Sequence, residues 1–227
     1  TLLTMIAANT TSINLATAVL IAPLRSPALL AKTAASLDAI SNGRLELGVG
    51  LGWQEEEYEA SGISFDQRAK IFWETLDICQ SLWKGGPVSH KGEIFEFNDI
   101  WCHPIPPQGS DIPLLFGVKM TESNAQKIAK IGHGWIPIKT SRDFISEGSE
   151  KLNNAFKEAG RDDKPRIRGQ LPTCVDSNGV PSVDLTLKEL EKSMEAGLEE
   201  IEVFPINFAQ SPDHLREVLE LIGEIKK

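Results

Sequence analysis

Apolar residues along this chain follow two alternating rhythms. Short, β-branched runs of strand length are followed by longer stretches with an apolar residue every third or fourth position. Ile13 to Ile21 reads as a buried strand. Ser26-Pro27 then supplies a helix cap and a proline at the first helical position. Leu30, Ala34 and Leu37 share a helical face, and Asn42-Gly43 stops that helix. Arg44 to Gly50 is a second strand, opening into Gly50-Leu51-Gly52. A helix from about Asp66 to Lys84 places Ala69, Phe72, Leu76, Cys79 and Trp83 at helical spacing and stops at Gly85-Gly86. Ser89 to His103 breaks the rhythm, with Ile94, Phe95, Phe97, Ile100 and Trp101 patterned as short strands or a hairpin.

The alternation then resumes. Pro113 to Gly117 is a strand, followed by a helix from Thr121 to Ile131. Gly134 to Ile138 is the next strand, and Ser141 caps a helix ending at Ala159-Gly160. Arg166 to Thr173 and Ile201 to Ile206 are further strands, with a turn at Asp176 to Gly179 and a helix from Thr186 to Ala196 between them. Ser211-Pro212-Asp213 opens a last helix with Leu215, Val218, Leu219, Ile222 and Ile225 inward. Repeated strand-then-helix units require parallel strands joined by right-handed crossovers. A doubly wound sheet and a (β/α)8 barrel both satisfy this. Six such units are readable, and a barrel needs eight. Thr1 to Thr10 reads as the tail of a helix whose start is absent, so an N-terminally incomplete chain is expected. No Pro/Gly/Ser-rich tract divides residues 1–227, and a single domain is expected.

Composition narrows the functional classes. Lys and Arg number 23 against 32 Asp and Glu, a net charge of −9 that repels a phosphate backbone, so nucleic acid is not expected as a partner. No run of 18 apolar residues exists, and no membrane span is expected. Cys79, Cys102 and Cys174 lie far apart without a CxxC pair, which disfavours a disulfide scaffold or a zinc knuckle and fits a reduced cytoplasm.

Several segments carry candidate chemistry. Gly117-Val118-Lys119-Met120-Thr121 joins a strand to a helix start, where free N–H groups and the helix dipole form an anion seat. Lys119 adds a charge and Thr121 a hydroxyl; the alternative is that Thr121 caps the helix and Lys119 is solvated. Gly50-Leu51-Gly52 allows a ligand close to the backbone, or is a plain tight turn. Glu55, Glu56, Glu57 and Glu59 fall in a helical first turn, where the dipole favours acids; no histidine completes a ligand set, so no metal is expected. Trp53, Trp73, Trp83 and Trp135 read as core or interface residues, while Phe97 and Trp101 could cover a pocket. No Ser-His-Asp, Cys-His or paired-carboxylate arrangement stands out, and the catalytic residues stay unassigned.

Thr11 to Val19, Leu37-Asp38 with Ser41-Asn42-Gly43-Arg44, and Gly48-Val49-Gly50-Leu51-Gly52-Trp53 resemble motifs of the bacterial luciferase-like monooxygenase superfamily. Glu57-Tyr58, Gly62, Phe65, Arg68, His90-Lys91-Gly92-Glu93 and Gly132-His133-Gly134-Trp135 extend the resemblance. It runs from about Thr11 to Gly160 and is most similar to the branch that uses the deazaflavin coenzyme F420. The resemblance implies a TIM-type (β/α)8 barrel lacking its first two strands here, with the cofactor at the C-terminal mouth. It implies a bulge with a non-prolyl cis peptide, at Ala18–Val19 in this sequence, supporting the ring. It further implies Gly50 beside the cofactor, Gly117, Val118, Lys119, Met120 and Thr121 at its phosphate, and Ile136, Ile138 and Lys139 along the ring. In the luciferases proper an arginine that contacts the FMN phosphate stands where this chain has Leu51, which weakens the case for FMN. The function implied is deazaflavin-dependent hydride transfer to or from a small organic substrate. The alternatives are an FMN-dependent monooxygenase using reduced flavin and oxygen, and a non-catalytic cofactor-binding or degenerate barrel protein. Family members commonly form homodimers, and this chain alone is expected to be poorly active or aggregation-prone.

Overall fold

The computed structural model describes residues 1–170, 172–209 and 211–224. They form two compact units. The first comprises residues 1–118 and 131–133, the second residues 119–130 and those from 134 onward.

The first unit opens with helix α1 (Leu2–Asn9), strand β1 (Leu15–Ile21), helix α2 (Pro27–Ser41) and strand β2 (Leu45–Gly50). Helices α3 (Glu55–Ser61) and α4 (Arg68–Trp83), a hairpin of β3 (Val88–Lys91) and β4 (Glu96–Ile100), and strand β5 (Leu114–Gly117) follow. Strand β2 pairs in parallel with β1 on one side and β5 on the other. Every residue of β2 is buried, as expected for a parallel strand covered on both faces. Strand β1 differs from its expected burial: it begins at Leu15, the only fully buried residue in it, and Ile13 is exposed. Its register against β2 also slips between Thr17 and Leu20, where β1 carries one more residue than its partner.

Polar staples fix these elements. The Arg44 guanidinium donates to the carbonyls of Ala7, Thr10, Ile13 and Ser41 at 2.7–3.0 Å. It thereby satisfies carbonyls that the end of α1 leaves without helical partners. The fully buried Asp38 accepts from the Leu45 N–H at 3.3 Å and from the backbone and side-chain nitrogens of Gln108 at 3.1 and 2.7 Å. Asn42, at φ 58°, turns the chain out of α2 so that the Gly43 N–H bonds the Asp38 carbonyl at 2.9 Å.

The second unit contains α5 (Glu122–Ile131, without its last residue), β6 (Gly134–Trp135), α6 (Arg142–Glu158), β7 (Arg166–Gln170), α7 (Val183–Glu195), β8 (Glu200–Glu202) and α8 (Pro212–Glu224). Strand β7 pairs in parallel with β6 and β8. Trp135, Ile145, Leu152, Phe156 and Ile167 are buried here. Helix α6 passes so near the Trp135 indole that a Cβ at Gly148 would overlap it.

Several expected boundaries move. The strand expected to reach Ile138 ends at Trp135, because Pro137 has no N–H for a ladder, and Ile138 is 66% exposed. The strand expected from Ile201 to Ile206 spans Glu200–Glu202, and Pro205 opens a short 3₁₀ turn. Helix α7 starts three residues early because the Ser182 hydroxyl accepts from the Leu185 N–H at 3.4 Å. In α8, Val218 is buried but Leu219 is exposed; Ile225 and the side chain of Ile222 lie outside the described residues. No helix among the described residues is long and apolar enough to cross a membrane.

The β3–β4 hairpin occupies the segment expected to leave the repeat, and Glu74 of α4 anchors it. Its carboxylate accepts from the N–H groups of Ile94 (3.1 Å) and Phe95 (2.8 Å) and pairs with His90 Nε2 at 3.0 Å. Burial opposes the Glu74 charge, but the Phe95, His90 and Ile94 donors outweigh it and hold the pKa below the usual carboxylate value. A depressed folded-state pKa gives stability that is complete above the unfolded value and is lost as pH falls through the folded one. Amide exchange of residues 88–100 should therefore accelerate on acidification, ahead of global unfolding. Glu74→Gln should lower hairpin protection by about 1–3 kcal/mol at neutral pH and remove that acid dependence. Wild-type hairpin protection that stays constant with pH would contradict this anchoring.

Candidate functional site

In the first unit, the parallel strands β1, β2 and β5 bring four of the sequence-predicted residues together at their C-terminal ends. Gly50 and Gly117 face each other as register partners, and Ile21 at the end of β1 pairs with Gly50. The Ala18–Val19 peptide bond is cis, at the position the sequence resemblance indicated, within the slipped register of β1. Val19 thereby projects over both glycines. A Cβ built on Gly50 would stand 2.6 Å from a Val19 methyl, and one on Gly117 would stand 2.8 Å from the other. The glycines thus make room for Val19. Val19 itself is 37% exposed, so the strand ends present an apolar surface. Thr17 steadies the approach to the bulge by donating to the Gly48 carbonyl at 2.8 Å.

The loop after β2 is held by a residue whose role the sequence alone did not show. The buried Tyr58 hydroxyl donates a short hydrogen bond to the Leu51 carbonyl, tying α3 to the glycine loop. Burial raises the Tyr58 pKa, opposed by Arg68 and supported by Glu57, so the phenol remains a donor. The Tyr58 ring meets Phe65 edge-on at 5.2 Å, and the Arg68 guanidinium lies over Phe65 at 3.7 Å. The three acids in the first turn of α3 lie where its dipole favours them. Among the described residues no group of three or more His, Cys, Asp or Glu is placed to hold a metal. Trp53, expected in a core or interface, is 84% exposed at the end of this loop, and Trp101 is 57% exposed; Trp83 is buried. Val118 is buried beyond β5.

In the second unit, Lys119 is exposed and Met120 is buried. Thr121 does cap α5: its hydroxyl accepts from the Asn124 N–H at 3.2 Å. The Asn124 amide folds back to the Lys119 carbonyl at 2.9 Å, and the Thr121 N–H bonds the same carbonyl at 3.1 Å. The Thr-x-x-Asn spacing at the helix start was the available signal for this closed loop. Glu122 also sits in the first turn, where its charge competes with an incoming anion. Ile136 is buried, while Ile138 and Lys139 are exposed just after β6. His133 pairs at the opposite, N-terminal end of β5, where its Nδ1 accepts from the Leu114 N–H at 3.2 Å.

A groove of about 370 Å³ lies elsewhere in the first unit, lined mainly by apolar residues such as Leu3, Leu20, Leu30, Ala34 and Leu45. It includes none of the predicted cofactor residues.

Comparison with known proteins gives a family match and a fold match. The family model described as luciferase-like monooxygenase matches residues 1–180. An uncharacterized protein of Mycobacterium tuberculosis is 38% identical over 161 residues, covering 70% of this chain and 56% of its own. The chain spans about half the length of the curated relatives it matches. Among solved structures, the coenzyme F420-dependent tetrahydromethanopterin reductase of Methanopyrus kandleri superposes with a TM-score of 0.77 at 18% identity, over 98% of this chain and 84% of that one. The oxygenating constituent of 3,6-diketocamphane monooxygenase from Pseudomonas putida, in complex with FMN, gives 0.65 at 22% identity, over 77% and 52%. The fold expected from sequence is thus shown: the parallel α/β fold of luciferase-like barrels, as a barrel missing part.

The Val19–glycine packing generates a direct test. Gly117→Ala should cost about 1–3 kcal/mol, the cost of overpacking a filled space. Adding Val19→Ala should recover most of that loss, because the three atoms nearest the new Cβ all belong to Val19. The Gly50→Ala loss should be recovered less completely, since the Gly117 carbonyl would remain 3.3 Å away. Urea unfolding of the single and double variants checks this, and strict additivity would refute it.

Proposed function

The chain belongs to the luciferase-like monooxygenase family, and from that premise we propose that it is a deazaflavin-dependent oxidoreductase acting on a small organic substrate. The observation that carries the reading is the apolar floor made by Val19 over Gly50 and Gly117 at three parallel strand ends. Such a floor is uncharged, partly exposed and held from below, and so fits a planar ring. In (β/α)8 barrels, the C-terminal strand ends are where ligands bind.

In the first unit, Ala18, Val19, Gly50, Gly117 and Val118 are assigned to the ring. In the second unit, Lys119, Met120 and Thr121 are assigned to the phosphate, with Lys119 supplying charge, Thr121 ordering the start of α5 and Met120 packing beneath. Ile136, Ile138 and Lys139 are assigned to the flank of the ring. When bound, the deazaflavin supplies two-electron hydride chemistry. The protein's part is to hold the ring against Val19, to keep water from its covered face, and to fix the Leu51 carbonyl through Tyr58. Leu51 offers no charge to a flavin phosphate, which ranks F420 above FMN. The reductase that uses F420 also matches over more of its length than the FMN-bound monooxygenase. A monooxygenase reaction on FMN is the second reading, favoured by that FMN-bound relative and by the family's description.

Equilibrium titration with F420 and with FMN orders the two readings. F420 should bind more tightly, and strong FMN binding with no F420 binding would reverse the order. Lys119→Ala should weaken either phosphate-bearing cofactor about tenfold while leaving phosphate-free riboflavin unaffected. An equal loss for riboflavin would remove Lys119 from the phosphate.

A further inference from the structure

The groove between α1, α2 and the strands takes no part in the cofactor assignment, and the register of β1 against β2 says where it lies. Leu15, Thr17 and Leu20 are the partners of Leu45, Leu47 and Val49. Side chains alternate along a strand, so this set faces away from the side of Gly48 and Gly50. The slip after Thr17 sends Val19 over the glycines and returns Leu20 to the groove side. Groove and Val19 floor therefore occupy opposite faces of the same strands.

The groove has two stretches. The larger, of about 370 Å³, runs over Leu45 and Leu47 between Leu3 of α1 and Ala34 of α2. The smaller, of about 250 Å³, continues past Leu24, Ser26 and Leu29. Both are lined by Leu20, Arg25, Leu30 and Thr33, so they adjoin. Two threonines in the lining spend their hydroxyl protons inside the fold: Thr17 donates to the Gly48 carbonyl and Thr33 to the Leu29 carbonyl, each at 2.8 Å. The walls are thus apolar in effect, and the space is of the size that takes a small molecule.

One residue breaks this character. Arg25 is the one charged side chain lining either stretch among the described residues. It is exposed, and its guanidinium makes no hydrogen bond or ion pair with any described residue. Arg44 and Arg68 of the same unit both donate to carbonyls within the fold. Beside Arg25, the Ser26 hydroxyl makes no capping bond to α2. An uncommitted cation where two apolar stretches meet selects a ligand with a long apolar part and one negative charge. A neutral apolar ligand would crowd the guanidinium and give it no partner, and an ammonium would be repelled. A phosphate dianion calls for more positive charge than one side chain supplies. A carboxylate matches a single guanidinium fork. We propose that this groove binds an aliphatic carboxylate, with its tail in the larger stretch and its head on Arg25 and Ser26. The site goes beyond the oxidoreductase reading and stands independently of it.

Calorimetric titration of the protein with octanoate, octanol and octylammonium tests the head group, and hexanoate, octanoate and decanoate test the tail. One octanoate should bind per chain, more tightly than either other head group. Each added CH₂ should tighten binding about two- to fourfold, the range for half to full burial. Arg25→Gln should weaken octanoate about fivefold, the scale of a solvent-screened ion pair, and leave octanol unchanged. Thr33→Trp, at a position lining both stretches, should block the whole series. Both variants should keep the wild-type circular dichroism spectrum and the wild-type affinity for F420 and FMN. No octanoate binding by the folded wild type, equal affinity for the three head groups, affinity independent of chain length, or an unchanged octanoate affinity in Arg25→Gln would each overturn the proposal. A second copy of the protein, or another segment of it, seated in the groove would give the first of these results.

Discussion

The close seating of Val19 over Gly50 and Gly117 is the constraint on which the rest of the first unit depends. Three parallel strands end together, and only glycine on two of them leaves room for the side chain that the third thrusts across. Overpacking a close-packed interior is costly. The register slip in β1, the full burial of β2 and the pairing of Gly50 with Gly117 are therefore linked features. What emerges at the strand ends is an apolar floor with its own support, which suits a planar ring better than a charged or hydrated group.

That floor is only as well placed as the chain segments leading to it, and these are fixed by buried polar hubs. Arg44 gathers carbonyls from α1, from the turn before β1 and from the end of α2. Asp38 ties α2 to β2 and to Gln108 in the segment before β5. Tyr58 fixes the loop after β2 from above. Each hub satisfies backbone groups that would otherwise be buried without partners, so each orders a loop at small net cost. The second unit is built on other terms, with Trp135 at its core and a charged face on β7 and β8.

Much of this was legible in the residues. The alternation of strand and helix signals gave the βα order, and Asn42-Gly43 marked the end of α2 correctly because only a left-handed turn fits there. The resemblance located the bulge at Ala18–Val19, which periodicity alone reads as an ordinary strand end. Burial was less legible. Ile13 and Leu219 are apolar yet exposed, and Ile138 follows a proline that ends its strand early. Periodicity reports which face is apolar, not whether a neighbour covers it. The packing of Val19 against Gly50 was not legible, because the two lie 31 residues apart on different strands. The Tyr58 hydrogen bond was equally out of reach, since it depends on how a loop closes in three dimensions. The Arg166–Glu200–Arg168 arrangement appears only once the register of β7 against β8 is known.

A crystal structure of the protein grown with F420, and a second grown with FMN, test the central claim most directly. The account predicts that the ring of whichever cofactor binds lies in van der Waals contact with the Val19 side chain at the ends of β1, β2 and β5. A bound ring that leaves Val19 covered only by solvent would contradict it.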